Sequence, residues 1–279
     1  MGGIWRTGLF PDSGQSTGDV AVDWRRADGG GHSDRLLAEA DRWRPPMIRV
    51  RGLEKTFGNT VALCGVDLDV AGGEFLIVVG PNGAGKTTLI RVLATLSRPT
   101  AGEVRIGGLD TVHDAVAIRR RLGMVSHQPL LYEDLTAAEN LAFYGRMYDV
   151  PNLPRRIKEL LDQVGLIARG DDAVRTFSRG MQQRLAIARA LLHDPPLLLM
   201  DEPFTGLDQQ AAAMLSRVLE SVGTSGARTV VMTTHDLERG LAMGDRLVIL
   251  ARGQIVYQAR RDELDAARLG DTYRRVTRP

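Results

Sequence analysis

The 279 residues of this chain, 43% of them apolar and 25% charged, can bury one substantial α/β core, or one core with a small satellite domain. The formal charge of +2 is small and the basic residues are spread along the chain, so we expect no binding to nucleic acid. No apolar run approaches the ~18–20 residues of a membrane-spanning helix. We therefore expect any link to a membrane to run through a partner.

Cys64 is the single cysteine, which excludes an intramolecular disulfide. A reducing cytoplasm is the natural setting for such a chain. Because the preceding residues 61–63 are apolar, the sequence predicts that Cys64 is a thiol of the core rather than a reactive group.

Residues 1–46 differ in composition from the rest of the chain. They are rich in Gly, Asp, Arg and Ser, lack apolar periodicity and contain all three tryptophans. We interpret them as a mostly disordered N-terminal extension, with a short docking segment or an upstream translation start as alternatives. The folded protein is expected to begin at Met47.

Hydrophobic periodicity predicts the elements of the first half of the folded part. Alternation indicates strands at 48–50 and 61–70, and the nearly unbroken apolar run at 74–79 indicates a buried strand that leads into glycine. The next predicted elements are a helix at 87–96, a surface strand and turn at 103–109, and a short helix at 111–121. Helical spacing over 136–147 and 154–168, with prolines between, indicates an inserted helical lobe.

The second half alternates strands and helices. The predicted elements are a helix that ends near 193, a strand at 197–201, a helix at 209–222, a strand at 228–233, and a hairpin at 246–258 that turns at Arg252 and Gly253. Strands that alternate with helices imply a mostly parallel sheet covered on both faces.

A phosphate-binding motif, G-x-x-x-x-G-K-[ST], follows the buried strand at 74–79. Its glycines allow successive backbone N–H groups and the next helix N-terminus to face negative charge. Lys86 should reach the β- and γ-phosphates, Thr87 should place its hydroxyl on Mg²⁺, and Thr88 is a candidate for the α-phosphate. The predicted nucleotide-binding residues are Gly80, Pro81, Asn82, Gly83, Ala84, Gly85, Lys86, Thr87 and Thr88. A GTPase would show an Asn-Lys-x-Asp element, which the sequence lacks.

Two carboxylates, Asp201 and Glu202, end the apolar strand at 197–201, where phosphate-loop folds gather their metal. Asp201 suits Mg²⁺, directly or through water, and Glu202 is the candidate general base that polarises the attacking water. An acidic pair at a strand end is often only a solvated turn. The phosphate loop at 80–88 favours the functional interpretation.

Between these two motifs lies the segment 177–181, Phe-Ser-Arg-Gly-Met, followed by 182–190. It resembles the signature of the ATP-binding cassette (ABC) ATPases, and the resemblance covers residues 47 to about 258. It implies an α/β P-loop NTPase with a mostly parallel core sheet, an antiparallel β subdomain and a helical lobe at about 129–180, with 259–279 left as a C-terminal helical tail. Ser178 and Gly180 would then offer an anion site to ATP on a second copy, although a capped helix is the simpler alternative.

The resemblance also assigns roles to four residues that lie outside these motifs. Phe57 would stack on adenine, Gln128 would sense Mg²⁺ and water, Asp208 would lie in the loop that crosses the dimer seam, and His235 would contact the γ-phosphate. Each has a structural alternative: a core Phe, a surface Gln, a helix N-cap and a structural His.

The family resemblance further implies the setting in which the chain works. It indicates the separate ATPase subunit of a transporter, a head-to-tail homodimer held by ATP, docked near 129–147 on a membrane permease at the cytoplasmic side of the cell membrane. Among transporter ATPases, segments 126–136 and 139–141 most resemble the haem-exporter subunits of cytochrome c maturation, so haem export is the expected function. A signature that ends in Arg-Gly-Met also resembles drug, lipid or polysaccharide exporters. A soluble cassette ATPase that acts on DNA or ribosomes is the alternative from another class.

Overall fold

The computed structural model describes residues 46–126, 128–223, 228–264 and 266–277. The predicted disordered extension lies outside the described residues except for Pro46, which opens the first strand. The strands in chain order are β1 (Pro46–Phe57), β2 (Thr60–Ala71), β3 (Phe75–Val79), β4 (Ala101–Ile106), β5 (Leu109–Asp110), β6 (Leu122–Val125), β7 (Leu197–Asp201), β8 (Thr229–Thr234), β9 (Arg246–Ala251) and β10 (Gln254–Arg260).

The helices in chain order are α1 (Lys86–Leu93), α2 (Ala115–Arg119), α3 (Ala137–Met147), α4 (Leu153–Gln163), α5 (Arg179–Leu191), α6 (Gln209–Gly223), α7 (Leu237–Met243) and α8 (Ala266–Thr277). None of these helices, within the described ranges, is long and apolar enough to cross a membrane.

Two sheets organise the fold. A four-stranded antiparallel sheet has the order β2-β1-β4-β5, and a six-stranded sheet has the order β10-β9-β3-β8-β7-β6. In the larger sheet only β10 pairs antiparallel. The expected α/β architecture, with its mostly parallel core sheet and antiparallel subdomain, is confirmed.

Alternate side chains of β3 point to opposite faces of the sheet and pack into two different hydrophobic cores. Phe75, Ile77 and Val79 face a cluster shared with the helical lobe, α5 and α6. Leu76 and Val78 face the other cluster, between the two sheets and α1. All five residues are buried because both faces of a parallel sheet are covered, which explains why the strand reads as an unbroken apolar run.

Three local features differ from the sequence prediction. Cys64 is exposed rather than buried, because Leu63 and Val66 face the core and the thiol points to the other side of β2. The strand β6 was not predicted, since four residues that include Gly123 carry too little periodicity. The short helix α7 was not predicted either.

The predicted helix over 154–168 ends early. α4 stops at Gln163, and Gly165 then adopts a left-handed backbone with φ +66°. The N–H of Leu166 donates to the carbonyl of Leu161, which closes the helix end in the manner of a Schellman motif. A 3₁₀ turn at Ile167–Arg169 follows.

Asn140 fixes the loop that precedes α3. It is fully buried, and its side-chain amide donates to the carbonyls of Tyr132 and Thr136 and accepts from the N–H of Tyr132. Thr136 begins α3 with a capping box that involves Glu139. The Tyr132 and Thr136 carbonyls also accept from backbone N–H groups, so the Asn140 amide is a second donor for them and the acceptor for the Tyr132 N–H. One buried amide thus connects both ends of the loop at 130–136.

Substitution of Asn140 tests this role. We expect Asn140→Ala to lower the free energy of unfolding by about 1–3 kcal/mol, because the Tyr132 N–H loses its acceptor and the Tyr132 and Thr136 carbonyls each lose one of two donors. Asn59→Ala, in an exposed turn, is the control and should change stability by less than about 0.5 kcal/mol. Urea denaturation of both variants gives the comparison, and equal midpoints would contradict the proposed bracing of the loop.

Candidate functional site

Three parallel strands bring the predicted motifs to one edge of the six-stranded sheet. β8 lies between β3 and β7, with Val79 opposite Thr234 and Asp201 opposite Thr233. The phosphate loop after β3, the acidic pair at the end of β7 and His235 after β8 therefore meet at the carboxyl edge. In open α/β sheets this is where ligands bind.

The phosphate loop depends on close backbone contacts. Gly85 precedes α1 with φ +105°, and a Cβ at this position would lie 2.5 Å from the carbonyl oxygen of Ala62. The turn between β9 and β10 braces the loop, because the N–H of Gly253 donates to the carbonyl of Ala84 at 3.0 Å. The loop is thereby held with the N-terminus of α1 facing the cleft, which favours an anion.

Lys86 is the cation of this loop and is only 6% exposed. Its Nζ donates to the carbonyl of Gly80 at 2.6 Å and to that of Pro81 at 3.2 Å. It also lies 3.4 Å from Oε1 of Glu202. A nearly buried ammonium needs such partners, and here they orient it toward the acidic strand end.

Asp201 is 2% exposed and is held by two hydroxyls. Thr233 Oγ1 donates to its Oδ1 at 2.7 Å, and Thr87 Oγ1 lies 3.2 Å from the same oxygen. Two of the three predicted Mg²⁺ residues, Thr87 of the phosphate-binding motif and Asp201 on β7, are therefore neighbours, whereas Gln128 does not line the cleft.

Glu202 has an unusual backbone and contacts three polar residues besides Lys86. Its φ is +51°, and its N–H donates to the carbonyl of Thr233 at 3.2 Å and to Thr233 Oγ1 at 3.0 Å. Its Oε2 lies 2.7 Å from Nδ1 of His235 and accepts from Thr205 Oγ1 at 3.3 Å. The candidate base and the predicted γ-phosphate histidine are in contact, and the strained backbone is typical of a functional position.

These groups line one cleft of about 770 Å³, which is within the usual size of a nucleotide-sized ligand site. The lining residues are Thr60, Val61, Ala62, 80–88, Arg179, Asp201, Glu202, Thr205, His235 and Tyr273. All nine predicted residues of the phosphate loop belong to this set.

The donor set fits a hard divalent cation. Among the residues that the structure describes, no three His, Cys, Asp or Glu side chains form a group that could hold a metal ion. A cation between Thr87 and Asp201 would take one hydroxyl and one carboxylate from the protein. The remaining ligands would be phosphate oxygens and water, which is how Mg²⁺ is commonly held at nucleotide sites.

The signature segment lies at the start of α5. Ser178 caps the helix by accepting from the N–H of Met181 at 3.3 Å, and Gly180 packs against Ala211, where a Cβ would approach to 2.6 Å. Arg179 lies over Gly206 and reaches the cleft. Ser178 itself does not line the cleft of its own chain.

The remaining predicted residues lie outside the cleft lining. Phe57 is 51% exposed, pairs with Thr60 across the β1–β2 turn and has Lys55 Nζ 4.8 Å from its ring centre. Gln128 is exposed, and its carbonyl accepts from the Ser126 hydroxyl. Asp208 accepts from the N–H of Ala211 at 2.7 Å, as a helix N-cap does. The roles of these three residues stay predictions.

A comparison with known families decides the identity of this arrangement. The model of the family described as ABC transporter matches residues 63–205, from β2 past the acidic strand end. This chain belongs to the ABC transporter family.

Related proteins and structures agree with the assignment. The daunorubicin resistance ATP-binding protein DrrA3 of Streptomyces coeruleorubidus is 40% identical over 226 residues, which are 80% of this chain and 71% of that protein. The sulfate/thiosulfate import ATP-binding protein CysA of Caulobacter vibrioides is 41% identical over 214 residues, 75% of this chain and 63% of that protein. The dimeric post-hydrolysis structure of the ATP-binding cassette MJ0796 with ADP and Pi superimposes with a TM-score of 0.70 at 30% identity, and covers 77% of this chain and 98% of that one.

The ABC chain is thus an ATP-binding, ATP-hydrolysing subunit of a transporter. Its motifs could be found in the sequence because each is contiguous. Thr233, Thr205 and Tyr273 were missed as site residues. A hydroxyl on a strand, or a tyrosine on a C-terminal helix, has no local pattern that distinguishes it, and only the strand register brings Thr233 to Asp201.

Thr233→Val tests the support of the acidic pair. The isosteric change removes the hydroxyl that contacts both Asp201 and the backbone of Glu202, so we expect ATP turnover to fall about tenfold to a hundredfold. Stability should fall by about 1–2 kcal/mol.

Thr229→Val is the matched control, because Thr229 is also buried on β8 and its hydroxyl accepts from the N–H of Gly73, far from the acidic pair. It should lose similar stability and keep its turnover. Phosphate release and denaturation of both variants give the comparison, and equal turnover would show that the hydroxyl only stabilises the strand.

Proposed function

We propose that the chain hydrolyses ATP in this cleft with Glu202 as general base. The observation that carries the proposal is the contact of Lys86 and His235 with Glu202 at one sheet edge, where Asp201 contacts Thr87 of α1. Glu202 accepts a proton from water as the water oxygen bonds to the γ-phosphorus, and the bond from phosphorus to the bridging oxygen breaks to give ADP and phosphate.

Each further residue has a role that its position supports. Lys86 and the backbone N–H groups of the phosphate loop bind the phosphates, and His235 orients Glu202 and contacts the γ-phosphate. Thr87 and Asp201, with Gln128 as the third predicted residue, would hold Mg²⁺, which when bound would neutralise charge on the phosphates. Phe57, at the end of the cleft beside Thr60, supports the adenine.

The working unit is a head-to-tail homodimer in this proposal. Ser178 is exposed at a helix N-terminus and does not line its own cleft, so its anion site is available to ATP on a second copy. The MJ0796 cassette, which this chain matches along nearly its whole length, is described as dimeric, and this supports a dimer as the working unit. Asp208 would lie at the seam between the copies.

The lobe offers a surface for a separate membrane permease. Leu130, Tyr132, Phe143 and Met147 are large apolar side chains that are exposed around the loop fixed by Asn140. Tyr132 and Phe143 pack edge to face with ring centres 5.0 Å apart. An exposed apolar patch on a braced loop is typical of a protein contact, and it would hold the ATPase at the cytoplasmic side of the membrane through the permease.

For the cargo, we propose export of a drug-like amphiphile. The likeness to DrrA3, which is named for daunorubicin resistance, and a signature that ends in Arg179, Gly180 and Met181 support this choice. Haem export is the second candidate, supported by the resemblance of segments 126–136 and 139–141 to haem-exporter ATPases. The drug-resistance relative gives the first candidate the stronger support.

Hydrolysis and pairing are tested together with Glu202→Gln. We expect this variant to bind ATP, to lose turnover by at least about a hundredfold, and to elute as an ATP-dependent dimer in gel filtration, because ATP that is not consumed holds the pair closed. Adding Ser178→Arg should abolish the dimer and leave ATP binding to the monomer intact.

Two control variants show whether the loss of hydrolysis and the loss of the dimer are specific to Glu202 and Ser178. Glu103→Gln removes an exposed carboxylate and should hydrolyse ATP normally. Arg179→Gly, beside Ser178 in the Glu202→Gln background, should still dimerise. Normal hydrolysis by Glu202→Gln would contradict the assignment of the base, and a dimer that survives Ser178→Arg would contradict the head-to-tail pair.

The cargo is tested with the membrane protein that co-purifies with this chain. Both are reconstituted in vesicles with the ATPase outside, and daunorubicin and haem are offered separately with ATP. We expect ATP-dependent uptake of daunorubicin, measured by fluorescence, and none with Glu202→Gln. Uptake of haem alone would establish the second candidate, and uptake of neither would reject both.

A further inference from the structure

The C-terminal helix α8 contributes a side chain to the nucleotide cleft. Leu269, Tyr273 and Val276 are spaced as one face of a helix, and all three pack on the core cluster shared with the lobe. Tyr273 also lines the cleft with Glu202, Thr205 and His235. The family match ends at residue 205, so this contribution lies outside the part of the chain that defines the family.

The phenol lies at the γ-phosphate end of the cleft. Lys86, Glu202 and His235, the groups assigned to the γ-phosphate, contact one another here and line the cleft together with Tyr273. The charge of Glu202 acts on the phenol, and burial together with this charge raises the pKa of Tyr273. Since a raised pKa keeps the phenol protonated, Tyr273 presents a neutral O–H donor next to a carboxylate.

That donor has no acceptor within the described part of the chain, and the phenol does not hydrogen-bond to Glu202 despite their proximity. The other polar groups around Glu202, on His235, Thr205 and Lys86, are engaged with it. A packing position on the core would be filled equally well by Phe or Leu. The hydroxyl is therefore free to bind a ligand of the cleft.

We propose that Tyr273 is a nucleotide-binding residue that donates a hydrogen bond at the γ-phosphate, and so distinguishes ATP from ADP. The inference rests on the proposed hydrolysis of ATP in this cleft. A neutral donor suits the position, because it binds phosphate oxygens without competing with Lys86 for the Glu202 carboxylate.

The test is Tyr273→Phe in the full chain, which keeps the ring on the core and removes only the hydroxyl. Affinities for ADP and for an ATP analogue with a β–γ imido link are measured by calorimetry. We expect the analogue to bind about threefold to tenfold more weakly and ADP to change less than about twofold. Tyr257→Phe, on β10 outside the cleft lining, is the matched control and should change neither affinity.

The other outcomes overturn the inference. Unchanged analogue affinity, or an equal loss for the analogue and ADP, would assign Tyr273 to packing alone. Tighter analogue binding would mean that the phenol obstructs the site. If the unsubstituted chain binds neither nucleotide, the proposed function itself is wrong, whereas binding and hydrolysis that are indifferent to Tyr273→Phe reject only the role of Tyr273.

Discussion

The contact between Lys86 and Glu202 is the interaction on which the site depends. A nearly buried ammonium is unfavourable without partners, and this one has two carbonyls of its own loop and a carboxylate from another strand. The carbonyls fix the shape of the phosphate loop, and the carboxylate ties that loop to the end of β7. Negatively charged phosphate oxygens can take the place of the carboxylate. The same ammonium can therefore organise the cleft before and during nucleotide binding.

Glu202 adds a second constraint, in its backbone. A left-handed non-glycine residue costs on the order of 1–3 kcal/mol and persists only where the surroundings enforce it. Thr233 provides that enforcement, since its carbonyl and hydroxyl both accept from the Glu202 N–H while the hydroxyl donates to Asp201. One threonine on the neighbouring strand thus holds the Asp201 carboxylate and the Glu202 backbone. The parallel register of β7 and β8 therefore positions the acidic pair at the cleft.

The sequence predicted what is contiguous along the chain. The phosphate loop and the acidic pair follow buried strands whose apolar runs are unmistakable, and the hairpin turn at Arg252 and Gly253 lies where expected, with both residues in the left-handed region. Short elements such as β6 were not predicted, because four residues are too few to show a hydrophobic periodicity. Cys64 was placed wrongly because apolar neighbours along the chain do not reveal which face of a strand a side chain occupies. Thr233 and Tyr273 join the site through register and helix packing, which local patterns do not encode.

The signature segment places two neighbouring side chains on different surfaces of the chain. Ser178 and Arg179 are neighbours at the start of α5, yet only Arg179 reaches the cleft of its own chain, where it lies over Gly206 and leaves no room for a Cβ. Gly206 belongs to the same short loop as Glu202 and Asp208. In the proposed pair, Ser178 would bind the ATP of the second copy while Arg179 rests on the loop beside its own ATP. A displacement of α5 on closure would then act on both sites at once, which gives the two hydrolysis events a physical route to influence each other.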